Sequence, residues 1–147
     1  MTINGGQIVR LEFTSAFVML DFVQVASDHV SRSLGLDDDS CHWVGVAVRE
    51  SVINAIKHGN RNDSSKRVIV EFATASPDDA PELSVRVLDQ GDGFDPDTLA
   101  DPLAPENVLK SSGRGIFLIR CFMDDVQLGR APTGGTEVRM TKRVQSR

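Results

Sequence analysis

Residues 50–60 read ESVINAIKHGN, and the reading of the whole chain turns on them. They close an apolar, helix-patterned stretch that begins near Cys41. Four residues turn an α-helix by about 400°, so Glu50 and Asn54 stand about 40° apart on one face. A carboxylate stacked on a carboxamide is a workable two-part site: the first takes a proton, the second offers an oxygen to a hard cation. Trp43, Val46 and Ile53 share that side, so the polar pair sits on an otherwise apolar face. The same residues also read as a plain helix end, with Asn54 and Gly59 helping to stop it. Val44, Val48, Val52, Ala55 and Ile56 form a second, broader stripe. A helix over roughly 40–58 that is apolar on more than one side is expected to be buried, against a sheet.

Upstream, Asp37, Asp38, Asp39 and Ser40 are a helix N-terminal signal, because carboxylates favour the positive end of the helix dipole. Before them, Phe17, Val18, Leu20, Phe22, Val25, Ala26 and Val30 recur with helical spacing from Ala16 to Leu34, and Gly35 ends the run. Thr14 or Ser15 is placed to cap that helix, and residues 7–13 (QIVRLEF) alternate as an opening strand.

Downstream, the loop of Gly59-Asn60 and Asn62 to Ser65 leads into a strand from Lys66 to Thr74. A turn over Ser76–Pro81 and a second strand, Leu83–Leu88, complete a hairpin. Asp89 then opens DQGDGF. A strand-end carboxylate can accept a hydrogen bond from an exocyclic amino group such as adenine's, with Gly91 and Gly93 letting backbone approach a flat ring. The cluster also reads as an acidic turn. It is no calcium loop, since Gly91 and Ala100 occupy ligand positions three and twelve. Periodicity lapses from Asp89 to Ser112, a length that marks a functional or mobile loop. Ser111-Ser112-Gly113-Arg114-Gly115 then opens a helix to Met123, and N–H groups at such a terminus can hold an anion. No Walker lysine follows, and no βαβ unit surrounds it. Strands over Val126–Leu128 and Thr136–Val144, turned by Gly134-Gly135, finish the chain.

The chain has 147 residues, 40% apolar and 25% charged, which fits one soluble domain with its own core. A net charge of -5 disfavours a large nucleic-acid footprint, although the tail from Arg139 to Arg147 is basic. No apolar run is long enough to span a membrane, and the N-terminus lacks a signal-peptide pattern. Cys41 and Cys121 lie in apolar patterns and are expected as buried free thiols in a reducing cytoplasm, with His42 badly placed to share a metal.

Taken in order, these features resemble the N, G1 and G2 boxes of the GHKL, or Bergerat-fold, ATPases over residues 40–143. ESVINAIKHGN, DQGDGFDP, SSGRGIFLIRCFMDDV and GGTEVRMTK look most like the anti-sigma-factor serine/threonine kinases of the RsbW and SpoIIAB type. The chain has no phospho-accepting histidine helix, so full histidine kinases fit poorly, as do gyrase and the chaperone branch.

The resemblance implies an α/β (α+β) fold of two layers, a mixed, mostly antiparallel sheet with helices on one face, as a single domain over 1–147. It implies ATP and Mg²⁺ as cofactors. Asn54 would hold the metal, and Glu50 would orient and deprotonate a serine hydroxyl on a partner. Asp89 would read adenine with Thr136 nearby, and Gly91 and Gly93 would shape the pocket. Residues about 95–112 would form a lid, with Ser112, Gly113, Arg114 and Gly115 on the phosphates. Lys57 and His58 end the site helix, His58 in a structural role. The implied partners are a STAS-type anti-anti-sigma factor carrying the serine, a sigma factor held in its place, and a second copy in a homodimer. Neither nucleic acid nor membrane is implied. A partner-switch module that binds nucleotide without transferring phosphate is the alternative, and a fragment acting on histidine is a third reading.

Overall fold

The computed structural model describes residues 6–92, 118–132 and 134–144. Strand β1 (Ile8–Thr14) leads through a 3-10 turn (Phe17–Met19) into helix α1 (Leu20–Leu34). Helix α2 (Asp38–Asn54) follows and runs on as one π turn, Ala55–Gly59. Strands β2 (Arg67–Ala75) and β3 (Glu82–Leu88) form the hairpin that the alternation predicts. Residues 118–122 are helical, and β4 (Asp125–Arg130) and β5 (Thr136–Arg143) close the chain. The sheet order is β1-β2-β3-β5-β4, and every described pairing is antiparallel rather than mixed.

Local chemistry explains the helix ends. The Asp37 side chain accepts from Ser40 N at 2.7 Å, capping α2 as the acidic run predicts. Gly35, at φ 100°, ends α1 with its N–H bonded to Arg32 O, while Leu36 N reaches Ser31 O. This is a Schellman closure, which needs the left-handed conformation glycine adopts freely. The expected cap from Thr14 or Ser15 is not made. Ala16 leads the 3-10 turn without a side-chain bond, and the Ser15 hydroxyl instead donates to Lys66 O at 2.8 Å.

Period-two alternation puts Phe13, Val70, Phe72, Val85 and Met140 on one face of the sheet, buried beneath α1 and α2. The opposite face carries the registered row Arg10, Glu71, Arg86, Arg139, with Arg86 bonded to Glu71 and Glu137. That face is polar along this row, with a small buried patch of Ile69, Leu88 and Ala131, and the described helices α1 and α2 pack on the other side. Two readings of the apolar pattern change. Helix α1 buries Leu20, Val23, Ser27 and Val30, but leaves Phe22 and Val25 in solvent. Cys41 is buried as expected, whereas Cys121 is exposed. No helix among the described residues is long and apolar enough to cross a membrane.

Candidate functional site

Glu50 and Asn54 lie one turn apart at the C-terminal end of α2, as the spacing predicts, and both are half-buried. The Asn54 Nδ2 atom is buried with no hydrogen-bond partner. Such an amide costs on the order of 1–3 kcal/mol unless something supplies an acceptor, so the site fits a polar ligand. No hydrogen bond or ion pair ties Glu50 to another described residue. Directly after Asn54 the helix widens into the π turn, closed by Asn60 N to Ala55 O at 2.7 Å. Widened turns of this kind recur at functional sites, because they re-aim the chain without ending it. Lys57 and His58, within the turn, point to solvent.

Asp89 is 5% exposed, one residue beyond β3. Its Oδ1 accepts from Gly91 N and Thr136 N, each at 3.0 Å, and its own N–H bonds to Thr136 O at 3.0 Å. Thr136 is thus beside Asp89, held there by its main chain. Three glycines make room for this carboxylate. A Cβ on Gly59 would lie 2.1 Å from Asp89 Oδ2, one on Gly135 2.1 Å from Asp89 O, and one on Gly91 2.0 Å from Gly59 O. Gly91 thus packs against Gly59 beside Asp89. Gly59 and Gly135, read from sequence only as a helix stop and a turn, are equal members of the cage. Gly93 and Ser112, Gly113, Arg114 and Gly115 lie outside the described residues.

Asn60 went unnoticed in the sequence, where it passed for a loop residue. It is fully buried and bonded on both ends of its amide. Nδ2 donates to Ser15 Oγ at 2.8 Å and Arg67 O at 2.9 Å, and Oδ1 accepts from Gln90 N at 2.8 Å. Gln90 Oε1 in turn accepts from Arg67 N at 2.7 Å, closing a ring. The ring clamps the end of the π turn to the residue after Asp89. Replacing Asn60 with alanine leaves buried groups unpaired, so urea unfolding should show a loss of about 2 kcal/mol or more. An unchanged midpoint would mean that the ring carries no stability.

Burial is the main influence on the Asp89 carboxyl and pushes it above its ordinary value, while the Thr136 and Gly91 N–H groups pull it down. A carboxyl raised in the fold stabilises the protein below its unfolded pKa, and that contribution is lost as pH rises through the folded value. Wild type should therefore lose stability relative to Asp89→Asn as pH climbs from about 4 to 7. A nucleotide that needs the ionised form would show the opposite trend, binding wild type more weakly as pH falls over that window. Melting curves and ATP titrations across pH check both, and a flat stability difference would contradict the raised carboxyl.

The acid–amide pair of α2, the π turn after it and the caged Asp89 thus lie along one stretch of the fold. Residues 19–142 match the histidine kinase-like ATPase domain. An anti-sigma F factor from Oceanobacillus iheyensis is 35% identical over 140 residues, covering 92% of this chain and 92% of its own. A serine-protein kinase RsbW from Staphylococcus aureus is 27% identical over 143 residues, covering 93% of this chain and 86% of its own. The solved structure of the RsbU and RsbW domains of a Mycobacterium tuberculosis protein superposes with a TM-score of 0.64 at 17% identity. It covers 96% of this chain, which spans 33% of that one, and it supports the fold alone. The chain belongs to the histidine kinase-like ATPase family, among the relatives of anti-sigma F factors and RsbW-type serine-protein kinases.

Proposed function

We propose that this chain is a protein-serine kinase and anti-sigma factor that phosphorylates a serine of a STAS-type anti-anti-sigma factor and, when that partner is absent, sequesters a sigma factor. The observation that carries the reading is the orphaned amide of Asn54 one turn after Glu50, which pairs with no described residue, in a chain that matches the histidine kinase-like ATPase domain. The relatives named anti-sigma F factor and serine-protein kinase RsbW supply the output. The whole of 1–147 acts as one domain, in the cytoplasm and as a homodimer.

When bound, Mg²⁺–ATP supplies the transferable phosphoryl group and the charge that neutralises it. The protein's share is positioning. Asn54 would hold the cation through its amide oxygen, and a polar ligand there would supply the acceptor its Nδ2 lacks. The Asp89 carboxylate would receive the adenine amino group, with Thr136 nearby and Gly91 and Gly93 shaping the pocket. Ser112, Gly113, Arg114 and Gly115 would hold phosphate. Glu50 orients the serine hydroxyl and takes its proton.

The test is titration of the full chain with Mg²⁺–ATP, wild type beside Asn54→Ala, followed by transfer of labelled phosphate to candidate STAS proteins. Binding that falls at least about tenfold in Asn54→Ala, with label on a serine of one candidate, is the expected result. Binding without transfer to any candidate would replace the kinase with a nucleotide-holding partner switch. No binding would remove the nucleotide site.

A further inference from the structure

Trp43 is the chain's single tryptophan, and the fold leaves it 42% exposed. It stands on α2, seven residues before Glu50. Seven residues turn a helix by about 700°, so Trp43 lies about 20° from Glu50 and about 10.5 Å nearer the N-terminus. Its ring stacks on Phe122 with centroids 4.4 Å apart and planes at 16°. His42 meets it edge to face at 4.7 Å. Phe122 packs against the core, so the stack holds the indole in place while leaving much of it uncovered. Leu118, one turn before Phe122 in the helical segment 118–122, is 39% exposed and extends the patch.

The order of groups along α2 decides what covers this patch. Asn54 comes one turn after Glu50, and Trp43 two turns before it. The unpartnered Asn54 amide marks the end that fits cation and phosphates, and Asp89 lies against Gly59 farther on. A nucleotide there sits on the C-terminal side of Glu50, away from Trp43. A serine hydroxyl that reaches Glu50 arrives on a protein, and a small domain is about 30 Å across. Such a partner overhangs the two turns that separate Glu50 from Trp43. An exposed, rigid indole with two apolar neighbours is too small for a permanent interface, but it has the make-up of a single hot spot.

We propose that Trp43, flanked by Phe122 and Leu118, anchors the serine-bearing partner by taking an apolar side chain that lies about 10 Å from the phosphorylated serine. That spacing is about seven residues along a helix, or about three along a strand. Partner, hydroxyl and phosphate thus follow one another along α2 at Trp43, Glu50 and Asn54. This rests on the kinase reading above and names a determinant of its substrate choice.

Phosphate transfer by the full chain to the STAS protein that it labels is the test. Trp43→Ala should raise KM for that partner by about tenfold or more and Leu118→Ser by about threefold or more, with kcat and Mg²⁺–ATP affinity within about threefold of wild type. Trp43→Phe keeps a ring on Phe122 and should recover most of the loss. Leu118→Ser removes an exposed side chain, so its KM decides the matter if Trp43→Ala unfolds early in urea. With one tryptophan and no tyrosine in the chain, emission from Trp43 reads the contact directly. The spectrum of wild type minus that of Trp43→Phe cancels the partner's own emission, and it should move to the blue when the partner is added. The anchor is overturned if both variants keep the wild-type KM, or if the partner leaves that emission unchanged. It is also overturned if Mg²⁺–ATP alone shifts the emission and the partner adds nothing, since the chain then covers the patch itself. Wild type that labels no candidate removes the kinase reading and the anchor with it, whereas labelling with an unchanged KM in the variants removes the anchor alone.

Discussion

Replacing Glu50 with alanine is expected to lower phosphate transfer by about 10²- to 10⁴-fold while leaving Mg²⁺–ATP affinity within about threefold. The loss is assigned to the proton of the attacking serine hydroxyl. Glu50 is half-buried, one turn from Asn54, and tied to no described residue. A carboxylate bonded to no described residue can be removed cheaply, so the variant should unfold within about 0.5 kcal/mol of wild type. That separates a reacting group from a structural one. Glu50→Gln keeps the shape and can still orient a hydroxyl, but cannot take its proton. A loss in Gln close to that in Ala would mark proton uptake as the missing function, and a near-normal Gln would mark orientation. Transfer in Glu50→Ala within tenfold of wild type, with binding intact, would place the base elsewhere.

The parts of this protein that sequence revealed are those decided by neighbours. The Asp37 cap and the Gly35 closure depend on residues within one helical turn, and both formed as the pattern said. The alternation of β2 and β3 likewise fixed their faces. Contacts closed across the sheet were not legible. Ser15 looked like a cap because hydroxyls do cap helices, yet its partners are Lys66 and Asn60, reached through the fold. Gly59 and Gly135 looked like punctuation because nothing local announces that Asp89 lies against both. Asn60 carried no signal at all, and only its burial exposes its role. Phe22 and Val25 show the converse, since an apolar residue in a helical pattern says that a surface wants covering, not that its own chain covers it.

Gly135→Ala tests the cage around Asp89 most severely. Its added methyl would lie 2.1 Å from Asp89 O, 2.6 Å from Asp89 C and 2.4 Å from Asp89 Oδ1. Two of those three atoms are main chain, so a rotamer change cannot relieve the clash. Nor can Asp89 withdraw cheaply, because its N–H bonds Thr136 O and its Oδ1 accepts Thr136 N. Gly135 O also accepts from Ala131 N at 2.7 Å, which pins the turn from the other side. Something must break, and each route parts Thr136 from Asp89. The expected cost is about 2–3 kcal/mol of stability, as for other overpacked sites, with ATP affinity down by about 100-fold or more. Gly129→Ala is the matched control in the neighbouring strand, because its Cβ would meet nothing within 4 Å. It should stay within about 0.5 kcal/mol of wild type and bind ATP normally. Urea midpoints and calorimetric titration of the two variants decide the matter. If Gly135→Ala unfolds early yet binds ATP like wild type, the cage serves the fold and the nucleotide base is read by residues other than Asp89. If both properties fall together and Gly129→Ala leaves them unchanged, the space that glycine leaves beside Asp89 is what lets a buried carboxylate face a ligand.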